Sequence, residues 1–342
     1  MNSAAKFSFP LAVGVVGCGR MGKLHARVCS QIPKLKLLGV FDSSPDAVSA
    51  AAGQFSVRPF EKLDDLLNEV AAVVIAAPTS HHLELAQQCI ERGVACLIEK
   101  PLAADSRSAR RIVELARQRG VCVQVGHIER FNPAVRAMAN LDIRPRFIEV
   151  TRISPLTFRS IDVGVVLDMM IHDIDIVLRL AASPVAKVDA VGVSVIEAGA
   201  PEDICNARLT FENGCVANLT ASRLALKTER KLRVFSRDCY LTLDYQKKYA
   251  MVARRGENLA AIRDAVARLR AGQVKDLSEL NFSDLVNVEE LQIDDVEPLR
   301  AEWESFADSV VRRELPAVTA EEGLAAVEVA ERIVGAMKPE SL

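Results

Sequence analysis

The chain has 342 residues, half of them hydrophobic, with 43 basic and 45 acidic side chains and a net charge of −2. This length exceeds what one hydrophobic core usually supports, so we expect two domains. The near-neutral charge argues against nucleic acid or an anionic membrane surface as a partner and favours a small-molecule ligand. The longest apolar runs, such as 70–78, are about half the roughly 20 residues that a membrane helix needs.

The N-terminus and the cysteines indicate where the protein works. The first ten residues contain one lysine and no separate apolar segment, so we predict no signal peptide and expect a cytoplasmic protein. The eight cysteines include no C-x-x-C pair and stand mostly in apolar stretches. We therefore expect neither disulfides nor structural zinc.

Residues 1–127 alternate short apolar strands with helical patterns. The predicted strands have the sequences LAVGVV, LKLLGVF, AAVVIAA, ACLIE and VCVQV. Such alternation is typical of stacked βαβ units with a parallel sheet. The strands are apolar almost throughout, as expected where helices cover both faces of the sheet. We predict an α/β fold that begins with a Rossmann domain.

Residues 128–342 follow a different pattern, with longer strands joined by hairpin turns and several helices. The predicted elements are one strand, one long helix, a series of strands and three further helices: 146–154, 165–181, 187–249, 257–271, 300–312 and 321–337. This order predicts an α+β domain with an open, mostly antiparallel sheet. We expect one apolar face of the sheet to remain uncovered and to form a homodimer or homotetramer interface. The residues expected on that face are Val216, Leu219, Leu232, Val234 and Leu241.

The first predicted strand runs directly into GCGRMG, where three glycines have G-x-G-x-x-G spacing. Gly17 allows a tight turn, Gly19 lets the backbone approach a pyrophosphate, and Gly22 lets the following helix pack on the strand. Asp42 stands 20 residues beyond Gly22, where a carboxylate accepts both ribose hydroxyls. This spacing predicts NAD as the cofactor. The residues predicted to bind it here are Gly17, Gly19, Arg20, Met21, Gly22, Asp42 and Ser43.

Two other predicted strands end in polar motifs, APTSHH at 77–82 and EKP at 99–101. Open α/β sheets bind ligands at the carboxyl ends of their strands. With the glycine fingerprint and a later D-x-x-x-H motif, the EKP tripeptide resembles the Gfo/Idh/MocA oxidoreductases over nearly the whole chain. The resemblance implies that Lys100 lies beside the nicotinamide and the reacting carbon. The further residues predicted at the cofactor are Pro78, Thr79, His82, Glu99 and Lys100.

The D-x-x-x-H motif is formed by Asp168 and His172, which a helix places on one face. The resemblance implies that both contact substrate hydroxyls, with His172 as the proton acceptor, and that Lys100, His172 and Asp168 are the catalytic residues. Without it, Asp168 and His172 would be an ordinary helical pair and Lys100 a solvated loop residue. A metal ion held by Asp168, His172, His127 and His82 is the alternative for these residues. We expect no metal, because the set is scattered and lacks a carboxylate or cysteine cluster.

Three longer stretches, at 126–135, 158–178 and 212–223, resemble the branch of this family that oxidises the 3-hydroxyl of UDP-N-acetylglucosamine. The resemblance implies a nucleotide-sugar substrate and a PLP-dependent aminotransferase that uses the ketone for lipid A. Guanidinium groups suit the diphosphate of such a substrate. The residues predicted to bind it are His127, Arg130, Asn132, Arg159, Asp168 and His172, with Arg152 and Arg223 nearby.

Two other functions stay open at this point. The substrate could be a different sugar or a polyol such as inositol, which an arginine-poor cleft would favour. The chain could also be a non-catalytic NAD-binding regulator, whose sequence would have lost Lys100 or His172. Both residues are present.

Overall fold

The computed structural model describes six stretches of the chain: 7–139, 141–157, 163–197, 200–255, 259–273 and 286–337. Its N-terminal sheet has six parallel strands in the order β3-β2-β1-β4-β5-β6. The strands are β1 (Leu11–Val16), β2 (Leu35–Phe41), β3 (Arg58–Pro59), β4 (Ala72–Ile75), β5 (Ala95–Glu99) and β6 (Val123–Gly126). The order reverses between β1 and β4, which is where dinucleotide-binding sheets open a crevice for their ligand. The predicted Rossmann domain is confirmed.

Helices cover both faces of this sheet. They are α1 (Arg20–Cys29), α2 (Pro45–Phe55), α3 (Leu63–Leu67), α4 (His82–Glu91) and α5 (Ser106–Arg119). Local sequence sets their ends. Ser44 accepts a hydrogen bond from the Ala47 N–H to cap α2, and Asp105 caps α5 in the same way. Gly120 ends α5 in the left-handed conformation that glycine adopts at little cost.

The second sheet has eight strands in the order β14-β13-β12-β11-β7-β10-β9-β8. They are β7 (Pro145–Ile153), β8 (Val185–Val193), β9 (Ile204–Phe211), β10 (Val216–Ser222), β11 (Glu229–Ser236), β12 (Cys239–Asp244), β13 (Tyr249–Arg255) and β14 (Val286–Glu290). All neighbours pair antiparallel except β7 and β10. The remaining helices are α6 (Pro133–Met138), α7 (Ile171–Ala181), α8 (Leu259–Arg270), α9 (Pro298–Arg312) and α10 (Ala320–Ala336). The predicted α+β domain is confirmed.

The apolar face expected to stay open is covered by the chain itself. Leu219, Leu232, Val234 and Leu241 are fully buried in one core with residues of α6, α7 and α10. Val216 is only half-buried, because residues three apart on a strand point to opposite faces. The argument for an oligomer from this face was therefore wrong, and the oligomeric state stays a prediction.

The last two helices return to the N-terminal domain. Trp303 and Phe306 of α9 lie in one core with residues of β1 and α1, and Leu324 and Val327 of α10 lie in another with β5 and α5. A division of the chain between residues 127 and 128 does not include this return of α9 and α10 to the N-terminal domain. The periodicity of a helix shows that it has a buried face but not which sheet that face packs on. None of the helices within the described residues is long and apolar enough to cross a membrane.

Candidate active site

The loop after β1 has the backbone geometry of a pyrophosphate cradle. Gly17 has φ of +98°, and a Cβ on Gly22 would lie 1.7 Å from the Gly17 carbonyl oxygen. Both positions therefore require glycine. A Cβ on Gly19 would meet no atom within 4 Å, so its backbone faces open space. Helix α1 begins there at Arg20 and Met21 without a side-chain cap, which leaves N–H groups available to an anion.

Asp42 lies at the end of β2 beside this loop. Its Oδ2 accepts a hydrogen bond from the Cys18 N–H at 2.6 Å, and its Oδ1 accepts one from the Ser44 N–H at 2.9 Å. Ser43 next to it is exposed. These bonds hold the carboxylate between the first two strands, and Oδ2 keeps a lone pair for a further donor, whereas Oδ1 also accepts a weak bond from the Ser43 hydroxyl at 3.5 Å. The loop, the open helix end and the fixed acid together fit NAD.

The segment after β4 is tied to the EKP segment by a buried histidine. His82 is 1% exposed, and its two ring nitrogens lie 3.0 Å from the carbonyl oxygens of Ala77 and Pro101. Burial lowers the pKa of His82, although both carbonyl contacts oppose the shift. Pro78 and Thr79 precede it on the exposed side of the loop. His82 therefore connects the loop after β4 to the loop after β5, and its ring nitrogens are not directed at a cofactor.

Lys100 follows β5 and reaches across to the second domain. Its Nζ donates to the backbone oxygen of Asp168 at 2.6 Å and lies 3.3 Å from Asp168 Oδ1. Asp168 is in a π-helical turn, Val166–Met170, which precedes α7. The prediction of one regular helix over 165–181 was wrong at this turn, because 3.6-residue periodicity does not detect the extra residue of a π-turn. Such turns are frequent at functional sites.

Two imidazoles stand next to this ion pair. The rings of His172 and His127 meet edge to face, with centroids 6.4 Å apart. His172 is partly exposed, whereas His127 is 1% exposed. Neither ring nitrogen of His127, nor Nδ1 of His172, has a hydrogen-bond partner among the described residues. Buried polar atoms normally have partners, so these three nitrogens point to a ligand with hydroxyl groups or to water.

The pKa of His172 lies well below its usual range, because burial disfavours the imidazolium and Lys100 and Arg152 add positive charge nearby. Burial is also the main cause of the lowered pKa of His127, which Arg130 and Lys100 lower further and Asp175 opposes. Both rings are therefore neutral at pH 7 and able to accept a proton.

Arg130 and Asn132, predicted to bind substrate, have partners within the chain. Arg130 donates through Nε and Nη2 to both oxygens of Asp175, at 2.6 and 2.7 Å, and through Nη2 to Glu322. Asn132 caps α6 and donates to Glu129 at 3.0 Å. The sequence alone could not show which acids approach these two residues. Nη1 of Arg130 has no hydrogen-bond partner among the described residues, and substrate binding by Arg130 or Asn132 stays a prediction. Arg130 also lines a cavity of about 760 Å³ that does not include Lys100, Asp168 or His172.

Two of the other arginines considered for the diphosphate are also buried in ion pairs. Arg152 pairs with both oxygens of Asp173, at 2.7 and 2.8 Å, and with Glu129 at 3.0 Å. Arg223 donates to the Val163 carbonyl and lies 3.6 Å from Asp203. Arg159 lies outside the described residues. The stretch 126–135 is thus connected to α7 directly by Arg130 and, through Arg152, by Glu129, and it supports the helix that carries His172.

One arginine that the sequence did not single out lies near the site. Arg230 of β11 has a 45% exposed side chain, and its nearest carboxylate oxygen among the described residues is that of Glu129, at 3.9 Å. Burial and the charge of Arg152 lower the pKa of Arg230, and its charge acts on His172. Arg230 stands in an ordinary alternating strand, ERKLRVFS, so no sequence signal distinguished it.

Metal chemistry has no set of ligands in the part of the chain that the structure describes. There, no group of three or more His, Cys, Asp and Glu side chains could hold an ion. The fold and this site define the class of the protein, an NAD-binding oxidoreductase.

The chain belongs to the Gfo/Idh/MocA family. The family model described as "Oxidoreductase family, NAD-binding Rossmann fold" matches residues 11–127, and the GFO/IDH/MocA C-terminal domain matches 152–241. A UDP-N-acetylglucosamine 3-dehydrogenase from Acidithiobacillus ferrooxidans is 36% identical over 247 residues, which cover 72% of this chain and 78% of that protein. An inositol 2-dehydrogenase from Rhizobium meliloti is 28% identical over 195 residues, 54% of this chain and 59% of that one.

Solved structures agree with this assignment. The structure of UDP-N-acetylglucosamine 3-dehydrogenase GnnA from Acidithiobacillus ferrooxidans superposes with a TM-score of 0.85 at 30% identity, over 96% of this chain and 97% of that one. A levoglucosan dehydrogenase in complex with NADH and L-sorbose gives a TM-score of 0.79 at 18% identity, over 95% and 96% of the two chains. The second likeness concerns the fold alone.

Proposed function

We propose that this protein is an NAD-dependent dehydrogenase that oxidises a secondary hydroxyl of a sugar to a ketone, namely the 3-hydroxyl of UDP-N-acetylglucosamine. One observation carries the proposal. Lys100 lies against Asp168, and two neutral imidazoles with unpartnered nitrogens lie beside them, at the edge of the sheet that carries the dinucleotide loop. NAD, when bound, supplies the acceptor for the hydride.

His172 is the proposed base. An alcohol loses its hydroxyl proton only with difficulty, so a neutral imidazole within reach of that proton lowers the barrier, typically by 10²- to 10⁴-fold in rate. The lowered pKa of His172 keeps the ring free to accept the proton at neutral pH. In this reaction a ring nitrogen of His172 takes the proton of the hydroxyl. The hydrogen on the carbon that bears this hydroxyl leaves with its bonding pair, as a hydride.

Lys100 and Asp168 are proposed to contact the substrate hydroxyls from the side opposite His172. The ammonium of Lys100 bears a full positive charge close to the proposed oxygen position, where it stabilises negative charge as the proton leaves. Its bond to the Asp168 backbone oxygen, 2.6 Å long, fixes the direction of the amine. The carboxylate of Asp168 is 35% exposed and remains able to accept a hydrogen bond from a neighbouring sugar hydroxyl.

His127 and Arg230 support a nucleotide sugar as substrate. The two unpartnered nitrogens of His127 can bond a second hydroxyl or an amide of the sugar. Arg230 is half-exposed and has no carboxylate oxygen closer than 3.9 Å among the described residues, so its guanidinium is available to a diphosphate. The 36% identity to a UDP-N-acetylglucosamine 3-dehydrogenase favours the same substrate here.

The cellular setting follows from this proposal. A ketone at a carbon that will bear nitrogen suits a PLP-dependent aminotransferase as the next enzyme, in the route to lipid A. A cytoplasmic location and a homodimer or homotetramer remain predictions of the same proposal. Light scattering at micromolar protein concentration measures the oligomeric state.

Formation of NADH with a panel of alcohols tests the substrate. Because oxidation of an alcohol by NAD is unfavourable near neutral pH, hydroxylamine is included to trap the ketone as an oxime. We expect NADH with UDP-N-acetylglucosamine and none with free N-acetylglucosamine or inositol. Arg230→Gln should raise KM for the nucleotide sugar with little change in kcat, whereas Arg233→Gln, on the same strand, should change neither. Efficient oxidation of inositol without a response to any UDP-sugar would contradict the proposal.

A further inference from the structure

A chain of hydrogen bonds runs from the C-terminal helix α9 to the proposed catalytic lysine. Trp303 Nε1 donates to His25 Nδ1 at 2.9 Å, and His25 Nε2 lies 2.8 Å from Glu99 Oε1. The other oxygen of that carboxylate, Oε2, accepts the backbone N–H of Lys100 at 3.2 Å. The chain joins α9, α1 and the end of β5, which are far apart in sequence.

The chemistry of these groups fixes the direction of every bond. An indole N–H is a donor only, so His25 Nδ1 must be unprotonated. The imidazole proton is then on Nε2, which donates it to Glu99 Oε1. That donation leaves Oε2 as an acceptor for Lys100. One tautomer of His25 therefore satisfies all three contacts.

Burial makes this arrangement rigid. His25 and Trp303 are fully buried, and the Glu99 side chain is 12% exposed. Burial acts to raise the pKa of Glu99, but the His25 hydrogen bond and Lys100 hold it below its ordinary value. Glu99 is thus an anion with both oxygens bonded, not a ligand directed at the cofactor. Lys100, the next residue, is held at its backbone N–H by Glu99 and at its Nζ by Asp168.

We propose that Trp303 and His25 are positioning residues that act through Glu99 to set the orientation of Lys100, so that α9 takes part in building the active site. The inference rests on the proposed function only for the role of Lys100. A hydrogen-bonded positioning shell of this kind is needed because a displacement of about 1 Å at the reacting group can cost about 10²-fold in rate.

Nitrogen-15 NMR of the full-length protein tests the chain without any measurement of activity. The protein has five histidines, and the His25 signals are assigned by their loss in His25→Gln. We expect an unprotonated Nδ1 and a protonated Nε2 in the unaltered protein. In Trp303→Phe the donor is gone while Glu99 still requires the proton on Nε2, so the Nε2–H should remain and only the Nδ1 signal should shift, as that nitrogen loses its hydrogen bond. A protonated Nδ1 in the unaltered protein overturns the proposal, whether or not the variant folds.

Kinetics test the consequence for Lys100. Trp303→Phe keeps an aromatic ring but removes the N–H, and we expect kcat to fall about tenfold with KM for NAD within about twofold. His25→Gln, whose amide can accept and donate in turn, should keep most of the activity that His25→Leu loses. Phe306→Leu is the matched control, because this buried ring packs against Trp303 without joining the chain. An equal loss in Phe306→Leu means that packing alone matters and overturns the proposal.

Lys100→Gln in the same assay separates this inference from the proposed function. If Lys100→Gln leaves kcat unchanged, the proposed function fails. If Lys100→Gln lowers kcat strongly and Trp303→Phe does not, the proposed function survives and the positioning role of Trp303 and His25 is refuted.

Discussion

Replacement of Glu302 by glutamine is expected to stabilise the protein, and increasingly so as the pH rises. Glu302 of α9 is 0% exposed, and neither of its carboxyl oxygens has a partner within the described residues. Burial, with the nearby charge of Glu99, raises the pKa of Glu302 well above its ordinary value. The side chain is therefore a neutral acid in the folded protein, and the backbone oxygen of Glu302 accepts a hydrogen bond from Gln124 Nε2.

The size of the effect follows from proton linkage. An acid whose pKa is raised on folding contributes stability below its unfolded pKa, near 4.3, and loses that contribution as the pH rises. The loss is about 1.4 kcal/mol per pH unit while the folded carboxyl keeps its proton. Between pH 5 and pH 7 the unaltered protein should therefore lose stability relative to Glu302→Gln, which carries no titrating proton, by at most about 2.7 kcal/mol, the value for a folded carboxyl that stays protonated over the whole range.

Urea unfolding at pH 5, 6 and 7 measures this difference. Trp303 is the only tryptophan of the sequence and follows Glu302 directly, so its fluorescence reports the unfolding of helix α9 around Glu302. Glu304→Gln is the control, because this more exposed acid of the same helix pairs with Arg300 four residues away, a contact of a few tenths of a kcal/mol. A free-energy difference that does not change with pH, or a Glu302→Gln protein less stable at pH 7, would refute the reasoning.

Three other predictions concern the site. The pH at which kcat/KM falls on the acidic side should lie below 6.5, since the pKa of His172 is lowered. Lys100→Gln should move this pH upward, because the loss of a positive charge raises the pKa of His172. A pH profile that does not move in Lys100→Gln would exclude His172 as the base. Asp42→Ala should raise KM for NAD and reduce the ratio of kcat/KM for NAD to kcat/KM for NADP, with little change in kcat. Equal kcat/KM values for the two cofactors in the unaltered enzyme would contradict the role of Asp42 as the ribose ligand. Arg152→Ala should cost about 3–5 kcal/mol in urea unfolding, because it leaves the buried Asp173 uncompensated; a loss below about 1 kcal/mol would show that the pair is not needed.

Much of the fold could be predicted from local pattern. The five longer parallel strands and the helices near both ends follow from apolar runs and 3.6-residue periodicity, which depend on short stretches of sequence. The two-residue strand β3 gave no such signal. The π-turn before α7 was also missed, since 3.6-residue periodicity does not detect the extra residue of such a turn.

The candidate site could be predicted in part. Gly17 and Asp42 follow from motif spacing, and the structure brings Lys100, Asp168 and His172 together as the resemblance implied. The role of arginines could not be predicted, because a guanidinium is equally suited to a phosphate and to a buried carboxylate. Arg130 lies against Asp175, and only the tertiary fold reveals this.

The proposed reaction moves the hydrogen on carbon 3 of UDP-N-acetylglucosamine to NAD, so the fate of an isotope at that carbon is its sharpest test. UDP-N-acetylglucosamine with deuterium only at carbon 3 is incubated with the enzyme, NAD and hydroxylamine, and both products are examined by mass spectrometry. We expect NADH that carries the deuterium and an oxime that has lost it, both absent with His172→Asn. Unlabelled NADH, with the deuterium retained in the oxidised sugar, would show that another carbon reacts and would refute oxidation at the 3-hydroxyl.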